Sequence, residues 1–151
     1  ATRQYFHKNP PRLVFLDMNK AFDTVDHPTL IDTLDQHYVS PSWCKLLVSY
    51  LSERSFRTRI GNQLSPPRVV RTGVPQGSCL GPYLYLLHTS TMPEPDPPQS
   101  LLITYVHDVI IGNYGQDVDI RLQTALDDVV DWAITHNIGI NPAKSQALLI
   151  R

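Results

Sequence analysis

Cysteine is scarce in this chain of 151 residues: Cys44 and Cys79 are the only two, too few for a disulfide framework and without the paired spacing of a zinc site. Any chemistry must then come from oxygen and nitrogen groups, and a reducing, intracellular compartment is the default setting. Long apolar runs are missing as well; none approaches the roughly 18 residues that cross a bilayer. The opening stretch, ATRQYFHKNPPR, lacks the apolar core of an export signal. Neither membrane insertion nor secretion is expected. Charge is thin, at 18% of residues, and the net value of −1 names no partner. What remains, 42% hydrophobic residues in a chain of this length, suits one globular domain spanning residues 1–151.

The small net charge conceals an asymmetry. Arg54, Arg57, Arg59, Arg68 and Arg71 follow one another with no acid between them, whereas Thr72 to Ala143 holds eight acids against Arg121 alone. A run of uncompensated arginines can neutralise a phosphate backbone, and an acid-rich partner can hold divalent cations. A merely solvated arginine face explains the same pattern equally well.

Hydrophobic spacing supplies the elements. Leu13 to Leu16 reads as a short, fully buried strand ending at Asp17. Leu30, Ile31, Leu34 and Tyr38 recur at helical spacing, and Ser40-Pro41 starts a second helix carrying Trp43, Leu46, Leu47, Tyr50 and Leu51 on one face. Phe56, Thr58 and Ile60 alternate with Arg57 and Arg59 before a Gly61-Asn62 turn, and Val69 to Arg71 resumes the extended pattern, which predicts a basic β-ribbon. After the turn-rich stretch Gly73 to Gly77, Leu80, Leu84 and Leu87 mark a helix that Pro82 can join only in its first turn, and the prolines at 93, 95, 97 and 98 end it. Leu101 to Tyr105 and Val109 to Gly112 form two β-favouring arms with His107 and Asp108 at their tip. A final helix carries Leu122, Leu126, Val129 and Ala133, and Asn141-Pro142 breaks the chain before a closing strand, Gln146 to Ile150. The order predicts an α+β fold: a ferredoxin-like antiparallel sheet with helices on one face, plus the basic ribbon.

Strands of one sheet bring distant positions side by side, so Asp17 and Asp108 can converge on a cation. On local pattern alone the lesser alternative is that Asp17 merely caps the following helix. Four strings, FLDMNKAFDTVDH (Phe15 to His27), GVPQGSCLGP (Gly73 to Pro82), YVHD (Tyr105 to Asp108) and INPAKSQALLI (Ile140 to Ile150), resemble in order and spacing the consecutive palm motifs of reverse transcriptases from non-LTR retrotransposons.

That resemblance implies an RNA-directed DNA polymerase using an RNA template, a DNA primer, deoxynucleoside triphosphates and Mg2+, with Mn2+ as a substitute. It makes Asp17 and Asp108 metal ligands, Phe22 a gate against the ribose 2′-hydroxyl, and Gln76 and Gly77 the loop beside the incoming nucleotide. Tyr105 joins the substrate-contacting set, and Lys144 approaches the leaving pyrophosphate, with Lys20 a weaker candidate. Arg54, Arg57 and Arg59 would meet template or primer phosphates. The hairpin departs from the family at His107, where the resemblance expects the principal metal-binding aspartate. An imidazole offers one nitrogen and no negative charge, whereas magnesium demands hard oxygen donors. Impaired polymerisation is therefore expected, the alternative being an inactive domain that binds nucleic acid or protein. By the same resemblance the 151 residues are expected to lack most of the fingers and thumb, which makes the rest of a retrotransposon polyprotein an expected partner. The family also implies residence in the nucleus.

Overall fold

In the computed structural model the described residues are 10–150, so most of the opening stretch read above for an export signal lies outside them. The elements run β1 (Arg12–Asn19), α1 (His27–Gln36), α2 (Pro41–Leu51), β2 (Ser55–Phe56), β3 (Arg59–Ile60), β4 (Gln63–Leu64), β5 (Arg68–Val69) and α3 (Gly81–Thr89). They continue with β6 (Ser100–Tyr105), β7 (Asp108–Asn113), α4 (Val118–Thr135), β8 (Gly139–Ile140) and β9 (Gln146–Leu149). Contacts divide them into two compact units: one contains the residues up to Ala21 and from Thr91 onward, the other Phe22–Ser90.

The first unit is a wholly antiparallel sheet with α4 against β7 and β8. β1 is central, with β7 on one side and both β8 and β9 on the other, while β6 flanks β7. Alternation sorts its residues by face. Leu16 and Met18 of β1 and Val109 and Ile111 of β7 are buried, as are Leu122, Ala125, Val129 and Ala133 of α4. β1 is thus not the fully buried strand its apolar run suggested: Phe15, on the opposite face, is 38% exposed. The α4 stripe also differs by one position, with Ala125 buried and Leu126 only half-buried, because an ideal helix advances 3.6 residues per turn and the covered stripe drifts around it.

The hairpin tip is displaced by one residue from its expected place. Tyr105 pairs with Asp108, so the two-residue turn is Val106–His107 and Asp108 opens β7. Two-residue hairpin turns require a positive φ at their first centre. Val106 supplies it, at φ 54°, although it is β-branched. Left-handed backbone costs such a residue roughly 1–2 kcal/mol.

In the second unit α1 packs against α2 and α3. Asp26 caps α1 by accepting from the Thr29 amide at 3.0 Å and its hydroxyl at 2.7 Å, and Pro28 sits in the first turn, where its missing N–H is harmless. Leu30 and Leu34 are buried, but α1 ends before Tyr38, which has φ 58° and is 96% exposed. On α2 only Leu47 and Leu51 are buried, while Trp43 and Leu46 are exposed, so the predicted face exists but is covered only in part. The basic ribbon forms as two nested ladders, β2 with β5 and β3 with β4, the inner one turning at Gly61 with φ 58°.

Candidate active site

Asp17 and Asp108 face each other in the β1–β7 ladder. Directly opposed residues of antiparallel strands point to the same face with Cβ atoms about 4.5–5.5 Å apart, and like charges in that position repel. A divalent cation between them would relieve the repulsion. His107 closes the group: one ligand atom from each of Asp17, His107 and Asp108 lies within 4.8 Å of the others, and among the described residues this is the only such trio. The Met18 amide donates to the His107 carbonyl at 3.0 Å, which ties the turn to β1. Asp17 is half-buried, while His107 and Asp108 are exposed. Tyr105, opposite Asp108 in the β6–β7 ladder, is 76% exposed and shares the carboxylate face.

The other edge of β1 explains how Lys144 arrives. β8 pairs with Met18 and Asn19, β9 pairs with Arg12 to Phe15, and the five residues 141–145 pass opposite Leu16 and Asp17. The Asn141 amide donates to the Asp17 carbonyl at 2.8 Å, and the Asp17 amide makes a long contact of 3.4 Å to the Ser145 hydroxyl. Asn141 Oδ1 accepts from the Ala143 amide at 3.2 Å, and the Asn141 carbonyl accepts from the Ser145 hydroxyl at 2.8 Å. This interruption carries Lys144 Nζ to 3.8 Å from Asp17 Oδ2. Asn141 and Ser145 are site-building residues that the spacing argument passed over. The signal was present: asparagine before proline is a turn former whose side chain bonds the backbone two residues on.

A second group is organised within the Phe22–Ser90 unit. Phe22 packs on the buried Tyr85 with ring centroids 5.0 Å apart, and burial pushes the Tyr85 phenol up to about 12. Gly73 anchors the loop that follows the ribbon: its amide donates to the Val25 carbonyl at 2.7 Å, and its carbonyl lies 2.7 Å from Arg54 Nη1 and 2.8 Å from His27 Nε2. Its φ is 81°, and a Cβ there would sit 2.7 Å from the Asp23 carbonyl oxygen. Gln76 donates from Nε2 to Asp23 Oδ1 at 3.0 Å, a partner not expected from sequence. Gly77 has φ 78° with open space where a Cβ would point.

Arg57 and Arg59 are exposed on the ribbon, as are Arg68 and Arg71. Arg54 is half-buried and bound to Gly73, so part of its donor capacity serves the loop. Lys20, the weaker candidate, is exposed with φ 48°.

The trio's two carboxylates and one imidazole fit a single divalent cation. They do not fit a pair of magnesium ions, which would need more oxygen donors and more negative charge.

Comparison with known proteins accords with the four motifs. Residues 4–149 match the family described as reverse transcriptase (RNA-dependent DNA polymerase). The chain is 38% identical over 141 residues to a probable RNA-directed DNA polymerase from transposon BS of Drosophila melanogaster, covering 87% of this chain and 16% of that one. It is 32% identical over 142 residues to the RNA-directed DNA polymerase from mobile element jockey of Drosophila funebris, covering 86% and 15%. It thus spans about a sixth of the relatives it matches. Telomerase from Candida tropicalis in complex with a fragment of telomeric RNA shares the fold at TM-score 0.73 and 12% identity, over 98% of this chain and 28% of that one. With family match, retrotransposon relatives and fold in agreement, this chain belongs to the reverse transcriptase family of RNA-directed DNA polymerases.

Proposed function

We propose that this chain is the palm of a non-LTR retrotransposon polymerase that extends a DNA primer on an RNA template from deoxynucleoside triphosphates, and that His107 impairs the reaction. The observation that carries the reading is the opposed pair Asp17 and Asp108, with His107 in the same cluster where the family motif has an acid. When bound in such a centre, divalent cations activate the primer hydroxyl and neutralise the triphosphate. In this chain Asp17 and Asp108 would hold such a cation, and Lys144 would offer a positive charge or a proton toward the leaving pyrophosphate. Phe22, braced on Tyr85, supports steric exclusion of a ribose 2′-hydroxyl. Gln76 and Gly77 give the nucleotide an amide and a close backbone approach. Arg57 and Arg59, with the remaining donors of Arg54, meet template or primer phosphates.

Other parts of a longer polyprotein are proposed to supply fingers and thumb, and the family's location argues for action in the nucleus. No helix among the described residues is long and apolar enough to cross a membrane. His107 favours a second reading, an inactive domain that still binds nucleic acid. Primer extension on an RNA template with Mg2+ or Mn2+ separates the two, using this palm and its His107→Asp form grafted between a related enzyme's fingers and thumb. Extension by the His107→Asp graft alone is the expected result. Equal extension by both would overturn the impairment, and extension by neither would favour the inactive reading.

A further inference from the structure

We infer that the Asp17, His107 and Asp108 cluster is a site for one borderline divalent cation, selective for Zn2+ over Mg2+. The inference rests on the reading of these residues as a polymerase-type metal centre and deepens it by naming the metal. Three observations carry it. The ligand atoms converge, all within 4.8 Å of one another. Ligands of one tetrahedral zinc at about 2.1 Å lie roughly 3.4 Å apart. The remaining adjustment falls to His107 and Asp108, whose exposed side chains are not locked by packing.

The second observation is the donor set. Zinc accepts imidazole nitrogen and carboxylate oxygen alike, typically from three protein ligands plus water in an open fourth position. Magnesium needs near-octahedral oxygen ligation and sheds its water reluctantly, so an imidazole in place of a carboxylate removes both a donor it favours and a charge that attracts it. Nitrogen donation strengthens the hold on zinc while weakening the hold on magnesium. The third is the placement of His107: it sits in the hairpin turn, outside the strand ladder, and its carbonyl is fixed to the Met18 amide. The turn therefore anchors the backbone of His107 beside the two carboxylates, within reach of its imidazole.

The test is calorimetric titration of the 151-residue chain with ZnCl2 and, separately, MgCl2, with the histidine imidazole resonances followed by NMR during the zinc titration. The expected result is one zinc per chain with the His107 resonances shifted. His107→Ala should weaken zinc binding by about tenfold or more, and His107→Asp should narrow the zinc-to-magnesium affinity ratio by about tenfold. Zinc binding unchanged by His107→Ala, or magnesium bound as tightly by the natural chain as by His107→Asp, overturns the selectivity. Asp17→Asn separates this from the reading beneath it. If Asp17→Asn abolishes metal binding while His107→Ala does not, the polymerase-type centre stands and only the selectivity falls. If Asp17→Asn leaves both metals bound as before, the centre itself is refuted.

Discussion

A methyl group at position 73 would have nowhere to go. Its carbon would lie 2.7 Å from the Asp23 carbonyl oxygen and 2.8 Å from both Asp23 Cα and the Phe22 carbonyl oxygen, all backbone atoms that cannot swing aside. Left-handed backbone costs a non-glycine residue roughly 1–2 kcal/mol. Overpacking adds roughly 1–3 kcal/mol. Gly73→Ala should therefore destabilise the chain by about 2–5 kcal/mol, which at roughly 2–4 °C per kcal/mol for a chain of this size lowers Tm by about 4–20 °C. Gly77 is an internal control: its φ of 78° nearly matches the 81° of Gly73, yet nothing lies within 4 Å of its would-be Cβ. Gly77→Ala should show the backbone term alone, roughly 1–2 kcal/mol. Urea denaturation followed by far-ultraviolet circular dichroism measures both, and the difference between them isolates the contact with Phe22 and Asp23. Equal destabilisation by the two substitutions would refute the steric argument and leave only the shared φ.

Two further outcomes follow from side chains already described. Asp26→Ala should cost about 1 kcal/mol, since it deletes the α1 cap. Burial raises the Asp26 carboxyl, but hydrogen bonds from the Thr29 amide and hydroxyl and the nearby His88 and His27 outweigh it and hold it below its ordinary 3.8. A carboxyl lowered by folding contributes stability that is present above its unfolded value and is lost as pH falls through the folded one. The difference between natural and Asp26→Ala chains should accordingly shrink below about pH 3.8, and denaturation midpoints that stay equally separated at pH 2.5 would contradict the cap's ionic character. Lys144→Met removes the ammonium that competes with a cation for Asp17, in a partly exposed pair worth roughly 0–1 kcal/mol. Divalent metal affinity should rise by up to about fivefold in calorimetry; a fall would mean that Lys144 assists the metal rather than opposing it.

The sequence was legible where pattern and chemistry coincide. A continuous apolar run disclosed β1, helical spacing the four helices, and β-favouring runs with turn residues the β6–β7 hairpin and the closing strand, while the motifs singled out Asp17, His107 and Asp108, which the structure brings together. Spacing says which residues share a face, and says nothing of whether that face is covered. Phe15 and Trp43 therefore belong to the expected faces while remaining exposed. The hairpin tip was displaced because a β-branched residue, Val106, takes the left-handed turn position that pattern rules reserve for glycine or asparagine. β8 is two residues long and carries no periodicity to find. The break at Asn141-Pro142 was legible, but the part that Asn141 and Ser145 play beside Asp17 was not, because it depends on the two strands they join along one edge of β1.

Position 107 sits on a turn, and position 17 sits on the central strand. The side chain at 107 is exposed and lies outside the neighbouring pairs of Leu16 with Val109 and Asp17 with Asp108. A change at 107 can thus alter the proposed cation site without altering the architecture around it. A histidine at this position leaves the fold, the exposed arginines of the ribbon and the match to the family in place. Foldedness in such a chain is accordingly no guide to whether the proposed polymerase reaction survives.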